Sequence, residues 1–487
     1  MQFPTVAFAV FFIAAFTVNW LLRPHYLVWR ATMIVFSLYF CGWVDLRFVL
    51  VVVASAVVNG ALAVAIHRAL EFGEPTAESR RLVRIAVGAD VAAFAVFGYH
   101  GFFLDSVTDA LSGLGLSATA PVLGLLMPVG LSFFSLHAIS YVVDVGRGDV
   151  EPVAFADLLL YLSFFPHMVA GPIARVDELV PQFHERPDPR RVPATDAFAL
   201  IGIGLFKFVV VAGYLATEVV GPAFAEPGAA GGVELLVAVY AFAVQIYAGF
   251  SGATDIAIGC ALLLGIEYPQ NFDAPYGALS VRDFWERWNM TLTRWLRDYL
   301  YIPLGGNRYG VPATYRNLMA TMVVGGLWYG AGWTFAVWGA VHGVYLVAER
   351  AGSSWFVRRT GTGTGTDPDA TRLPDGVSAT LRWLVTFNLV SLAWIFFRAE
   401  SVGSALGIVG RIATVAPGSA GLVTVLAVAT VVGALACQLV TDERTLELRA
   451  RFTTLRPVTQ VAVLAAALTA IGVLGAENGT AFTYLPF

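Results

Sequence analysis

DFWERWNMTLTRWLRDYLYIPLGGNRYG, residues Asp283–Gly310, followed by RNLMATMVVGGLWYGAGWTFAVWGAVHG, residues Arg316–Gly343, decides how the chain is read. The first piece sets Trp285, Trp288, Trp295, Tyr299 and Tyr301 among Glu286, Arg287, Arg294, Arg297 and Asp298. At helical spacing Trp285, Trp288, Leu292, Trp295, Leu296 and Tyr299 share one face and most charges take the other. That pattern predicts an amphipathic helix over 283–301, one that lies in a membrane interface or lines a polar cavity. Pro303, Gly305 and Gly306 end it with a turn. The second piece is an apolar span broken at Gly330–Gly332 and closed by His342 and Gly343. Interruptions and ionisable groups at membrane depth are costly, so they point to a pathway or a reaction site.

The surrounding sequence fixes the solvent. Of 487 residues, 57% are hydrophobic and 13% charged, with mean hydropathy +0.71. Soluble domains carry about a quarter charged residues, so this composition predicts an integral membrane protein. A net charge of −4 argues against nucleic acid as a partner. Cys41, Cys260 and Cys437 lie far apart in apolar runs and read as core thiols rather than a disulfide or metal set. The first basic residue, Arg23, follows the first apolar run, the reverse of a cleavable signal.

Apolar spans of about 17–25 residues begin near Val6, Ala31, Phe48, Ile85, Pro121, Ala197, Val233, Tyr315, Leu381, Ala420 and Val458. The expected fold is therefore all-α, with about eleven transmembrane helices and additional re-entrant and amphipathic pieces. Residues 154–172, with Pro166, His167 and Gly171-Pro172, read as re-entrant. Arg and Lys concentrate in alternate loops, while 105–120 and 221–232 carry none. This places the N-terminus outside and the basic loops in the cytoplasm, provided the Tyr315–Val347 stretch enters and returns at its glycine break. The one low-complexity stretch, GTGTGTDPD at 361–369, is a flexible linker. The expected organisation is a membrane core over 1–360, a cytoplasmic linker over 361–375 and C-terminal helices over 376–487.

Further polar islands interrupt apolar sequence: SFFSLHAISYVVDVGRGD (132–149), FFPHMVAGPIAR (164–175), QIYAGFSGATDIAIG (245–259) and WIFFRAES (394–401). His137 reads equally as a helix–helix contact or a functional group; Asp255, inside a span, reads as lining a polar cavity. Walker, GxGxxG, HExxH and GxSxG signatures are missing from the sequence, and its seven histidines do not form metal-binding pairs.

In this order, these islands and the central stretch resemble the membrane-bound O-acyltransferase family, closest to its bacterial polysaccharide O-acetylation branch. The likeness runs from Ser132 to Ser401. It implies helices around a central tunnel at the cell membrane, lined by His137, Asp255, Trp285, Trp288, Arg297, Asp298 and Trp328. It implies an acyl donor, acyl-CoA or an acyl carrier protein, reaching the tunnel from the cytoplasm, with no tightly bound cofactor and no metal. The acyl group passes to a hydroxyl of a glycan or small metabolite, with an extracytoplasmic transferase as a partner in such systems.

The departures fall where the family keeps its chemistry. Tyr329 stands at the key histidine of the Leu-Trp-His-Gly motif, Asn289 at a second histidine, Gly249 at an aspartate before Phe-Ser-Gly, and His137 at an acidic position. Imidazole titrates near pH 7 and suits a general base, whereas tyrosine donates more readily than it accepts. Two readings follow. Either acyl transfer persists with His342 or His137 as base and Asn289 orienting the reacting group, or the fold serves another reaction or transport. The completeness of the motif framework favours the first, with His342, Tyr329 and Asn289 as the catalytic set.

Overall fold

The computed structural model describes the chain except residues 2, 117–126, 129, 361–378, 441–450, 453 and 476–487. The proposed linker at 361–375 and the start of the span near Pro121 thus lie largely outside the described residues. Among those described, the chain is helical, and β-structure is limited to an isolated bridge between Glu71 and Glu74. It divides into two compact units, Met1–Ile203 with Ala253–Pro269, and Gly204–Gly252 with Gln270–Pro486.

In the first unit α1 (Val6–Leu22), α2 (Tyr26–Gly42), α3 (Arg47–Arg68), α4 (Ala77–Gly113), α5 (Leu131–Arg147), α6 (Phe155–Ser163) and α7 (Val176–His184) follow the apolar runs. Several polar side chains inside them find partners, as burial in an apolar medium favours. Asn19 accepts from the Trp29 indole (2.8 Å) and donates to Leu264 O (3.3 Å). Asp157 takes the Tyr26 hydroxyl (2.6 Å) and the Arg30 guanidinium (2.9 Å), fastening α6 to α2. Residues 164–175 form a turn between α6 and α7 rather than a helix.

α8 (Ala194–Ala225) contains two wide π-helical stretches, Phe206–Ala212 and Ala216–Val220. α9 (Gly232–Leu263) contributes residues to both units. Its first turn carries Glu234, whose carboxylate accepts from the backbone N–H groups of Gly231 (3.1 Å), Ala420 (2.8 Å) and Gly421 (3.0 Å). Arg411 adds a bond to Ala230 O (2.6 Å), so the 226–232 loop is clasped to the 416–422 loop.

The helix expected over 283–301 is broken. α10 (Val281–Arg287) and α11 (Met290–Leu296) meet at Asn289, whose φ of 42° and ψ of 55° is left-handed. A π-helical turn, Arg297–Tyr301, ends the segment. The break explains why the predicted face splits: Trp285 and Trp288 are buried, while Trp295 and Tyr299 meet each other at a 41° tilt, 5.3 Å apart, and remain partly exposed.

α12 (Val311–Tyr329) and α13 (Trp333–Thr360) flank the Gly330–Gly332 break, and the chain does turn back there. A Cβ on Gly326 would strike Phe335 O, one on Gly339 would strike Met322 O, and one on Gly343 would lie 2.7 Å from the Met319 sulfur. These pairings run in opposite directions along the two helices, so α12 and α13 form an antiparallel hairpin with their backbones in contact through glycine. α14 (Ala379–Arg398), α15 (Val402–Ala413), α16 (Val425–Cys437) and α17 (Pro457–Gly475) complete the second unit.

Among the described residues five helices are long and apolar enough to cross a membrane, and five shorter apolar helices accompany them. This is an all-α fold rich in membrane-length helices; the expected figure of eleven is not reached by length and composition alone.

Candidate active site

The joint between α10 and α11 creates the site. Asparagine tolerates the left-handed conformation better than other non-glycine residues because its short side chain bonds locally. Asn271 pins the joint: its Oδ1 accepts from Thr291 N (3.2 Å) and Thr291 Oγ1 (2.8 Å), and its carbonyl accepts from Met290 N (2.9 Å). The Asn289 side chain is thereby aimed at α12, where its Nδ2 donates to the Tyr329 hydroxyl at 2.7 Å. Both groups are buried. Two positions forty residues apart in the sequence, read above as replacements of family histidines, are one hydrogen-bonded pair.

Tryptophans wall the pair in. The Tyr329 ring meets Trp338 edge-on at 5.3 Å and Phe397 at 5.8 Å, and Trp338 stacks on Trp394 at 5.2 Å. Trp288 contacts Trp394 at 5.1 Å, and its indole N–H lies beside the Tyr329 oxygen without meeting hydrogen-bond geometry. Such a surround excludes water and strengthens every dipole inside it.

His342, on α13, lies in the same cluster, 5.0 Å from Trp338 and 5.2 Å from Trp285 by ring centroids. Its Nδ1 accepts from the Trp285 indole at 3.3 Å, and its Nε2 is buried without a partner. An indole N–H only donates, so this bond spends the Nδ1 lone pair and puts the imidazole proton on Nε2. Where the sequence pointed to a base, the geometry presents a donor.

Asn289 donates to the Tyr329 oxygen, so the Tyr329 proton points away from Asn289. The cluster therefore offers two donors, the Tyr329 hydroxyl and His342 Nε2–H, in a dry aromatic setting. Two donors in such a setting suit a carbonyl oxygen on which negative charge develops.

The other expected site residues lie elsewhere. Arg297 and Asp298 pair with each other (Nε–Oδ1 2.7 Å), with the arginine exposed. Trp328 is half-buried on α12. His137 and Asp255 belong to the first unit, His137 wholly buried on α5 and Asp255 half-buried on α9. Sequence reasoning passed over Asn271, Trp338 and Phe397. The last two stand inside motifs already quoted, Trp338 four residues before His342, one helical turn away. Asn271 sits in a plain loop and gave no signal.

Comparison with known proteins agrees with the site's sequence context. The profile of the membrane-bound O-acyltransferase family matches residues 92–364. The chain is 38% identical over 335 residues to the probable alginate O-acetylase AlgI of Pseudomonas putida, covering 68% of this chain and 64% of that protein. It is 34% identical over 402 residues to the peptidoglycan O-acetyltransferase of Helicobacter pylori, covering 77% and 72%. It is 27% identical over 294 residues to the teichoic acid D-alanyltransferase of Streptococcus thermophilus, covering 55% and 68%. The chain thus spans about two thirds of the length of these curated relatives.

Proposed function

Because the chain belongs to the membrane-bound O-acyltransferase family, we propose that it moves an acyl group, acetyl first among candidates, from a thioester to a hydroxyl. The donor is acyl-CoA or an acyl carrier protein on the cytoplasmic side. The acceptor is a glycan or a small metabolite, by analogy with relatives named for alginate, peptidoglycan and teichoic acid. The names of these relatives favour acyl transfer over reuse of the fold for transport.

The observation that carries the reading is the buried Asn289–Tyr329 bond within the family-matched segment. In the reaction the acceptor oxygen attacks the thioester carbon, the C–S bond breaks, and the hydroxyl proton ends on the leaving thiolate. Charge develops on the carbonyl oxygen during attack. Tyr329 O–H and His342 Nε2–H supply the donors for that oxygen, Asn289 positions Tyr329, and Trp285 sets the His342 tautomer. Preorganised donors in a water-excluding site are the largest electrostatic contribution to such chemistry.

The purified protein, given radiolabelled acetyl-CoA and an acceptor sugar, is expected to release free thiol and to label the sugar. No thiol release with acetyl-CoA, longer acyl-CoAs or an acyl carrier protein would sink the proposal. In the cell membrane we place the N-terminus outside and the 361–375 linker in the cytoplasm, as the basic loops direct. A cysteine introduced at Gly363 should then resist membrane-impermeant maleimide in intact cells and react after permeabilisation. Reaction in intact cells would reverse the topology. An extracytoplasmic transferase that completes delivery is a fitting partner for this arrangement.

A further inference from the structure

The first unit holds a close pair of imidazoles that the proposed mechanism does not use. His137 on α5 and His167 in the turn after α6 lie with ring centroids 4.5 Å apart and planes tilted 30°. Both are fully buried, and the Nε2 of each has no hydrogen-bond partner within the protein. Two orphaned polar atoms on neighbouring rings in an apolar interior are costly, and a ligand that satisfies both removes the cost.

The other ring nitrogens determine what that ligand must be. His137 Nδ1 is 2.8 Å from the Phe133 carbonyl, which only accepts. Nδ1 therefore carries the proton and Nε2 carries the lone pair. His167 Nδ1 is 2.7 Å from the Tyr268 hydroxyl. That hydroxyl makes no other hydrogen bond among the described residues, so its proton goes to Nδ1. His167 is then protonated on Nε2. The Leu162 carbonyl also lies beside the His167 ring, outside hydrogen-bond geometry for Nε2. One nitrogen accepts and its neighbour donates, which is the complement of a single hydroxyl group, itself both donor and acceptor.

The scaffold holds this pair in place. Gly130, at φ 75°, lets the chain pass where a Cβ would sit 2.7 Å from Met168 O, and a Cβ on Gly171 would strike the His167 backbone. The turn bearing His167 is thus seated against the main chain at Gly130 and closed on itself at Gly171. Tyr161 closes the pair from the edge, 5.1 Å from His137. A metal is the competing occupant of paired imidazoles, but no group of three or more His, Cys, Asp or Glu among the described residues could complete its shell.

We propose that His137 and His167 form a hydroxyl-binding site in the first unit, His137 Nε2 accepting the hydroxyl proton and His167 Nε2–H donating to the oxygen. The hydroxyl comes from water or from a sugar alcohol, and this goes beyond the acyl-transfer reading without depending on it. The test uses the full chain in detergent, labelled with ¹⁵N-histidine, with His137 assigned through His137→Gln. His137 is expected in the Nδ1–H form with a hydrogen-bonded Nε2. Titration with methyl glucoside shifts the Nε2 resonance if the source is a sugar hydroxyl. No shift, together with magnetisation transfer from a slowly exchanging water, identifies water. Tyr268→Phe keeps both imidazoles and frees His167 to change tautomer. It should weaken glucoside binding about tenfold, as loss of one oriented hydrogen bond does, or abolish the transfer from water. A proton found on His137 Nε2, a Zn²⁺ titration that moves both Nε2 resonances, or Tyr268→Phe behaving as wild type would each overturn the proposal. Turnover is not read, so failure here leaves the acyl-transfer reading where it stands.

Discussion

Tyr329→Phe is expected to slow acyl transfer by about 10²–10³, the usual consequence of removing one oxyanion donor. The substitution deletes one oxygen and leaves the ring against Trp338 and Phe397, so the protein should still fold, at a cost of about 1–3 kcal/mol. It also strands Asn289 Nδ2, which lies buried and bonded to that oxygen. Asn289→Gly tests the support separately. Glycine accepts the left-handed φ of 42° without strain, so the joint survives while the bond to Tyr329 is lost. A smaller loss, about tenfold, is expected there, because Tyr329 keeps its proton but not its orientation. The measurement is the single-turnover rate of acetyl transfer at saturating donor, with folding checked by size exclusion. Full activity in Tyr329→Phe would remove the tyrosine from the chemistry and leave His342 alone. His342→Ala is expected to be at least as damaging, since it deletes the second donor and opens a void beside Trp338.

The other large effect is structural. Gly339→Ala should abolish recovery of folded protein. Its new methyl would meet the Met322 carbonyl, and lie 3.0 Å from Val323 Cα. Both are backbone, so no rotamer change relieves the clash and α12 must separate from α13. Overpacking of this kind costs about 1–3 kcal/mol where side chains can yield, and more where they cannot. Gly352→Ala on the same helix is the control. Nothing lies within 4 Å of its Cβ, and alanine gains up to about 1 kcal/mol of helix propensity there. Thermal unfolding in detergent should show the first variant lost and the second unchanged or improved. Equal behaviour of the two would mean that the glycine contact does not hold the hairpin.

How much of this could be read from residues alone differs by level. The membrane setting, the helical class and the break at Gly330 were legible, because apolar length and glycine clusters act locally. The amphipathic helix over 283–301 was read as continuous because the face pattern survives a one-residue joint. Nothing in composition marks Asn289 as left-handed. The Asn289–Tyr329 bond spans forty residues, and periodicity tells which face a residue occupies but not which helix faces it. His342 was legible as a site residue, but its tautomer depends on Trp285, fifty-seven residues earlier. His137 and His167 were each noticed singly. Their stacking depends on a turn seated by Gly130 and Gly171, a packing fact that no motif spelled out.

The Glu234 clasp has a consequence for how this chain can drift. Its carboxylate is held by main-chain donors at Gly231, Ala420 and Gly421, with the Ser419 hydroxyl at the limit of reach, 3.5 Å away. At position 420 the receiving strand contributes only an N–H, which nineteen of the twenty amino acids provide as well as alanine does. At that bond the chemical information resides in Glu234, and the position opposite it is nearly blank. The 416–422 loop can therefore change its side chain at 420 freely and keep its hold, and proline there, which has no N–H to give, would cost it that bond.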